Sequence, residues 1–257
     1  MSGWDPAQYL KFSQPRLRPA LELLLRVELE SPALVYDLGC GTGALSRIMA
    51  ERWPEATVIG VDDSPDMLGR APEATLNLRW LQQDIAAWRP VTPPDLIYSN
   101  AALHWLPDHA TLLRRLVGSL APGGVLAVQL PRNFSAPSHL AIAETVRAGP
   151  WRARLEPMLR ESPVAEPAWY LDLLCSLCPE VDLWQTEYFQ ILSGENPVKE
   201  WTKGTWLKPL LAALPELQRA AFEDAYARRV AQSYPRRADG TTVLPFLRLF
   251  FIAKRGR

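Results

Sequence analysis

The sequence predicts a doubly wound α/β fold, and three features carry that prediction. Between about residues 34 and 130, short apolar strands alternate with helical stretches, the rhythm of a parallel sheet covered on both faces. The first strand runs into Asp37-Leu38-Gly39-Cys40-Gly41-Thr42-Gly43, a glycine turn that opens a helix. A carboxylate, Asp62, follows nineteen residues beyond Gly43, at the end of the second strand.

Each element has its own signal. Residues 15–28 are expected to form an amphipathic helix ahead of the sheet, with Leu17, Leu21, Leu24 and Leu25 on one face. Residues 34–38 read as a buried strand, and 44–52 as the helix after the glycine turn. Residues 56–61 are the second strand; Ser64-Pro65 then opens a short helix, with proline at the first helical position, where its missing N–H costs nothing. A third strand is expected at 78–81, a fourth at 95–99 and a helix at about 110–119. Pro122-Gly123-Gly124 turns the chain into a fifth strand, 125–130. Residues 137–178 are helical but interrupted by Pro150, Pro157, Pro163 and Pro167. Residues 182–192 mix aromatic and polar side chains as an edge strand does, 195–232 are helical, and 245–254 return to an apolar strand. Helices enclosed by two strands read as an insertion into one domain, and no internal repeat is visible.

Composition bounds the function classes. The chain has 257 residues, 48% of them hydrophobic and 22% charged, enough to bury a core without covalent staples. Lys plus Arg and Asp plus Glu are both 28, so there is no global basic footprint for nucleic acid. Three cysteines make no disulfide framework and point to a reducing compartment. The opening Met-Ser-Gly-Trp-Asp-Pro lacks the basic and apolar regions of a secretory signal, and no apolar run approaches the roughly 18 residues of a membrane helix. A soluble cytoplasmic protein, monomeric or weakly self-associating, is expected. Cys175-Ser176-Leu177-Cys178 has metal-like spacing, but without a second Cys or His pair no metal site is expected.

The glycine turn carries the chemistry. Glycines between a strand and a helix let a ligand approach the backbone, and the helix N-terminus presents unpaired N–H groups to an anion. The acid beyond the second strand suits an adenosine ribose. The spacing is Gly-x-Gly-x-Gly with Asp37 two residues ahead, not the dinucleotide Gly-x-Gly-x-x-Gly. It resembles the first motif of the class I S-adenosylmethionine-dependent methyltransferases. Further matches follow in order: Val61-Asp62 with Ser64-Pro65-Asp66-Met67-Leu68, then Gln83-Asp84-Ile85, Asn100, and Leu120-Ala121-Pro122-Gly123-Gly124.

That resemblance implies a Rossmann-like mixed sheet of seven strands with the last antiparallel, an N-terminal helical cap at 1–33, a core of 34–192 and 243–257, and a 193–242 helical insertion over the acceptor site. It implies S-adenosylmethionine as cofactor. Gly39 and Gly41 would frame its carboxylate and Asp37 its ammonium; Asp62, with Asp63 beside it, would hold the ribose. Asp84 would meet the adenine amino group, the Ile85 N–H a ring nitrogen, Met67 one ring face, and Asn100 would stand near the sulfonium. Met67 also fits plain helix core, and Asn100 a loop cap.

A closer resemblance spans nearly the whole chain. Trp4-Asp5-Pro6, Tyr9-Leu10, Phe12-Ser13, Arg16, Arg18-Pro19-Ala20, Glu22-Leu23-Leu24, Trp105-Leu106-Pro107-Asp108-His109, Gly124-Val125-Leu126-Ala127-Val128-Gln129, Glu180-Val181-Asp182-Leu183-Trp184 and Arg248-Leu249-Phe250 are similar to the trans-aconitate 2-methyltransferase family. This implies esterification of one carboxylate of a small polycarboxylate. A carboxylic acid of pKa near 4 is ionised at pH 7 and is already the nucleophile, so no obligatory catalytic base is expected. His104 is the one candidate for that role, and a contact with substrate suits it better. A polyanion needs cations, and guanidinium forks match carboxylates. Candidates are Arg16, Arg132 and Arg248 with Trp105 beside His104, Lys203 and Lys208 in the insertion, and Arg18 for the cofactor's carboxylate. Arg248 stands out because it interrupts an apolar run, Phe246 to Ala253. Another carboxylate or amine acceptor, a nicotinamide-dependent oxidoreductase and a cofactor-binding protein without turnover are the alternatives.

Overall fold

A computed structural model describes residues 13–159 and 161–257, with side chains described from Leu17 onward. The Trp4-Asp5-Pro6 opening and the side chain of Arg16 lie outside the described residues. In chain order the elements are α1 (Ser13–Leu25), β1 (Leu34–Leu38), α2 (Ala44–Arg52), β2 (Thr57–Asp62), α3 (Pro65–Leu68), β3 (Leu78–Gln82) and β4 (Leu96–Asn100). A 3-10 turn (Leu103–Trp105), α4 (His109–Ser119) and β5 (Val125–Pro131) follow. Then come α5 (Pro137–Ala148), α6 (Arg152–Leu155), α7 (Pro167–Cys175), β6 (Glu180–Leu192), α8 (Pro197–Lys203), α9 (Leu207–Ala213), α10 (Glu216–Ser233) and β7 (Thr242–Lys254).

The strands form one seven-stranded sheet in the order β3-β2-β1-β4-β5-β7-β6. β1 pairs in parallel with both β2 and β4, β4 pairs in parallel with β5, and β7 runs antiparallel to β5. The seven-strand mixed sheet expected from the sequence is therefore observed. The chain winds outward from β1 through β2 to β3, then returns to place β4 on the other side. That reversal opens a crevice at the carboxyl ends of β1 and β4, where open α/β sheets bind ligands. β5 is buried along its whole length, as a strand covered on both faces must be.

Three elements differ from their expected form. In α1 the buried stripe is Ala20, Leu23 and Leu24, continued by Val27 just past the helix, while Leu25 is 77% exposed. The Tyr98 hydroxyl of β4 donates to the Ala20 carbonyl at 2.6 Å and so seats that face. β6 and β7 are also longer than their apolar runs, because backbone pairing in a sheet continues past the residues whose side chains are apolar.

The chain divides into two compact units. One comprises Gln14–Pro131, Pro163–Thr186 and Arg248–Arg257; the other contains Arg132–Ser162 and Glu187–Leu247. The second unit has its own core, in which Trp151, Trp201, Leu207, Phe222 and Val230 are buried together. Trp151 meets Phe222 edge to face, with ring centroids 5.0 Å apart. The Tyr226 hydroxyl donates to the Ser138 carbonyl at 3.0 Å and lies 3.0 Å from the Thr202 hydroxyl, which joins α5, α8 and α10. The helical unit thus takes in residues 132–162 along with the 193–242 stretch. Among the described residues no helix is long and apolar enough to cross a membrane.

Candidate active site

The three glycines after β1 all have left-handed backbone, with φ of 78° at Gly39, 57° at Gly41 and 71° at Gly43. The N–H groups of Gly39 and Cys40 donate to the Val61 carbonyl at 2.8 and 3.0 Å, tying the turn to β2. Their reasons for being glycine differ. A Cβ on Gly39 would lie 2.2 Å from the Ala102 Cβ, and one on Gly43 would lie 2.2 Å from the Trp80 ring. A Cβ on Gly41 would meet nothing within 4 Å, so only there does the backbone border open space. Gly39→Ala is expected to lower stability by about 2–5 kcal/mol, combining a left-handed alanine with an overpacked contact. A variant melting together with the wild type would contradict that packing.

Asp62 holds this turn from the next strand. Its Oδ2 accepts the Gly41 N–H at 2.8 Å and its Oδ1 accepts the Ser64 N–H at 3.0 Å. Burial pushes its pKa up, and the two N–H groups partly offset that. An ionised carboxylate has about four acceptor positions, so two remain for ligand hydroxyls. The sequence suggested a ribose ligand only; Asp62 also sets the shape of the glycine turn. Asp63 next to it is half-buried. Asp37 is buried and accepts the Ser46 hydroxyl at 2.6 Å, and burial raises its pKa to about 7. A cation brought close would draw off that proton.

The remaining cofactor candidates surround this crevice. Met67 is buried on α3, whose first turn is capped by Ser64, the Met67 N–H donating to its hydroxyl at 3.3 Å. Asp84 is exposed and caps the turn that follows β3, accepting the Ala86 N–H at 2.8 Å. Arg115 of α4 locks that turn by donating to the carbonyls of Ile85 at 2.9 Å and Trp88 at 2.5 Å. A Cβ at Gly39 would come 3.5 Å from the Ile85 Cδ1, so Ile85 lies against the glycine turn.

Across the crevice, β4 ends at Asn100, followed by Ala101 with φ of 52°, a backbone conformation unusual for a residue with a side chain. The Ala101 N–H donates to the Gln129 carbonyl at 3.0 Å, which holds the bend. The Asn100 Oδ1 is buried with no hydrogen-bond partner. Gln129 is wholly buried and its Oε1 accepts from Arg248 Nη1 at 3.0 Å. Arg248 is 3% exposed, so its charge does not reach solvent. His104 is buried with its ring centroid 4.6 Å from that of half-buried Trp105. Burial, with His109 and the positive Arg248 nearby, lowers the His104 pKa to about 3.

The structure thus brings Asn100, His104, Trp105 and Arg248 into the same unit as the glycine turn, Asp37 and Asp62. The Arg18 side chain is 71% exposed and pairs with Glu22 one helical turn on, at 2.7 Å, as an i,i+4 pair on a solvent face does. Arg132 belongs to the helical unit, where its backbone N–H donates to the Leu247 carbonyl, and Lys203 pairs with Glu223 at 2.7 Å. Gln129 lies at the end of a segment matched in the sequence but was given no role there; an amide inside the apolar run Val125 to Leu130 was its signal. Among the described residues no group of three or more His, Cys, Asp or Glu side chains could hold a metal ion.

Sheet order, glycine turn and the acid beyond it define a class I methyltransferase, and a methyltransferase domain family matches residues 35–124. Trans-aconitate 2-methyltransferase of Azoarcus sp. strain BH72 is 47% identical over 255 residues, 99% of this chain and 100% of that protein. The enzyme of that name from Methylobacterium radiotolerans is 46% identical, with 99% of each chain covered. The chain belongs to the trans-aconitate 2-methyltransferase family. The fold is also that of Haemonchus contortus phosphoethanolamine N-methyltransferase 2, solved with phosphomonomethylethanolamine and S-adenosylhomocysteine. That match has a TM-score of 0.56 at 14% identity, over 93% of this chain and 53% of the other.

Proposed function

We propose that the protein methylates a carboxylate of trans-aconitate with S-adenosylmethionine, giving a monomethyl ester and S-adenosylhomocysteine. Family membership over the full length supports the acceptor. The observation that carries the chemistry is Arg248, a guanidinium buried opposite Pro131 at the carboxyl end of β5, in a sheet of methyltransferase order.

The residues present fit the cofactor. Open space borders Gly41, Asp62 has acceptor positions to spare, and the Asn100 Oδ1 is buried without a partner. Gly39 and Gly41 would meet its carboxylate, Asp37 its ammonium, Asp62 and Asp63 its ribose, and Asp84, Ile85 and Met67 its adenine. When bound, S-adenosylmethionine supplies a methyl carbon on positive sulfur, which a carboxylate oxygen takes in one displacement as the C–S electron pair stays on sulfur. No proton moves, so the protein's task is alignment and desolvation, alignment alone being worth up to about 7–11 kcal/mol in well-oriented cases. His104, held neutral down to acid pH, lines the acceptor side with Trp105 and takes no proton. Arg248 neutralises a substrate carboxylate. Arg16 is a further candidate for another carboxylate of the polyanion. The free cysteines suit a cytoplasmic protein, and a small-molecule acceptor requires neither nucleic acid, membrane nor a stable oligomer.

Purified protein with methyl-labelled cofactor is expected to give base-labile label in trans-aconitate, and little in malonyl thioesters or small amines. Label in amines alone would overturn the carboxylate reading. With S-adenosylmethionine saturating, so that its ammonium keeps Asp37 ionised, the rate with trans-aconitate should be flat from pH 6 to 9; a limb near 6.5 that vanishes in His104→Phe would make His104 a base.

A further inference from the structure

Gln129 is a buried amide of fixed polarity, and its polarity matches a ligand of particular charge order. Its Oε1 accepts from the Arg248 guanidinium at 3.0 Å, and the reverse orientation would oppose two sets of N–H donors. The amide therefore cannot flip, and Nε2 is its free end. That Nε2 is buried with no hydrogen-bond partner, in a residue with no exposed surface. Asn100 lies directly opposite Gln129 in the β4–β5 register, and Arg248 lies opposite Pro131, two residues further along β5. Registered neighbours and residues two apart share a sheet face, so all three side chains leave from one face at the carboxyl ends of β4 and β5.

On that face the buried Asn100 Oδ1 is an acceptor without a donor, and the Gln129 Nε2 is a donor without an acceptor. The two do not satisfy each other. A buried polar atom left unpaired costs about as much as a lost hydrogen bond, and such atoms in native proteins mark a ligand or ordered water. The missing partner must offer an oxygen to Gln129, a negative one because it lies beside the Arg248 guanidinium, and a positive or N–H group to Asn100. We infer that the Gln129 amide and the Arg248 guanidinium together clamp the reacting carboxylate of the acceptor, while Asn100 faces the cationic end of the cofactor. Gln129 is then a substrate-binding residue that reads a carboxylate and rejects a cationic or amine acceptor, whose donors would meet its own. This rests on the methyl-transfer reading above.

The test is calorimetry of trans-aconitate on the protein saturated with S-adenosylhomocysteine, alongside steady-state kinetics. Gln129→Leu removes the donor and keeps the bulk; Gln129→Glu accepts from Arg248 but sets a negative charge against the ligand. Expected results are a Kd and KM for trans-aconitate raised at least tenfold in the first and at least a hundredfold in the second. The Kd for S-adenosylhomocysteine should stay within threefold in both, which a merely structural role would not allow. Unchanged trans-aconitate binding in both variants, or equal losses for both ligands, overturns the clamp. A wild-type protein that binds S-adenosylhomocysteine yet neither binds nor methylates trans-aconitate overturns the acceptor reading, and the clamp with it.

Discussion

Replacing Arg248 with methionine is expected to raise the KM for trans-aconitate by about 10- to 150-fold, the equivalent of a charge-assisted hydrogen bond at about 1.5–3 kcal/mol. Methionine has similar length and no charge, so the sheet face stays filled while the guanidinium is lost. Stability should change little or rise, since removing a buried charge removes its desolvation cost. Against that, the Gln129 Oε1 loses its donor. Arg248→Lys keeps the charge without the planar fork and should fall between. A variant whose only defect is a lower Tm would make Arg248 a structural residue, and the acceptor carboxylate would need another cation.

Asp62→Ala should weaken S-adenosylhomocysteine binding by about 10- to 150-fold, again about 1.5–3 kcal/mol. Two causes act together. The carboxylate positions offered to the ribose disappear, and the N–H groups of Gly41 and Ser64 lose the oxygens that hold the turn open. Asp62→Asn should do less harm, because its amide oxygen can still accept one of those N–H groups. Calorimetry separates the outcomes, and unchanged affinity in Asp62→Ala would remove the cofactor from this crevice. Trans-aconitate KM should move less than cofactor Kd in this variant, the opposite of Arg248→Met.

Much of the fold was legible because its determinants are local. A glycine at 39, 41 or 43 is required by backbone angle at that residue, and a Ser64-Pro65 helix start by capping within one turn. The helix α1 shows where local reading stops. Its period was visible, but its buried face was set by Tyr98, far away in the chain, which fastens Ala20 inward and leaves Leu25 outside. Arg18 shows the same limit: the sequence offers its charge, while its pairing with Glu22 four residues on is a matter of helix geometry.

The alternation of strands and helices, the glycine turn and the acid after the second strand came from sequence alone, and they suffice for the class. The odd placement of Arg248 in an apolar strand was also visible there. Only the tertiary structure paired that arginine with Gln129, put Asn100 opposite the same amide, and buried the Asn100 Oδ1 and the Gln129 Nε2 without a partner. The physical reason is register: hydrogen bonds between strands decide which side chains share a face. β5 and β7 pair through residues more than a hundred positions apart, and β4 joins β5 across an intervening helix, which no local pattern encodes.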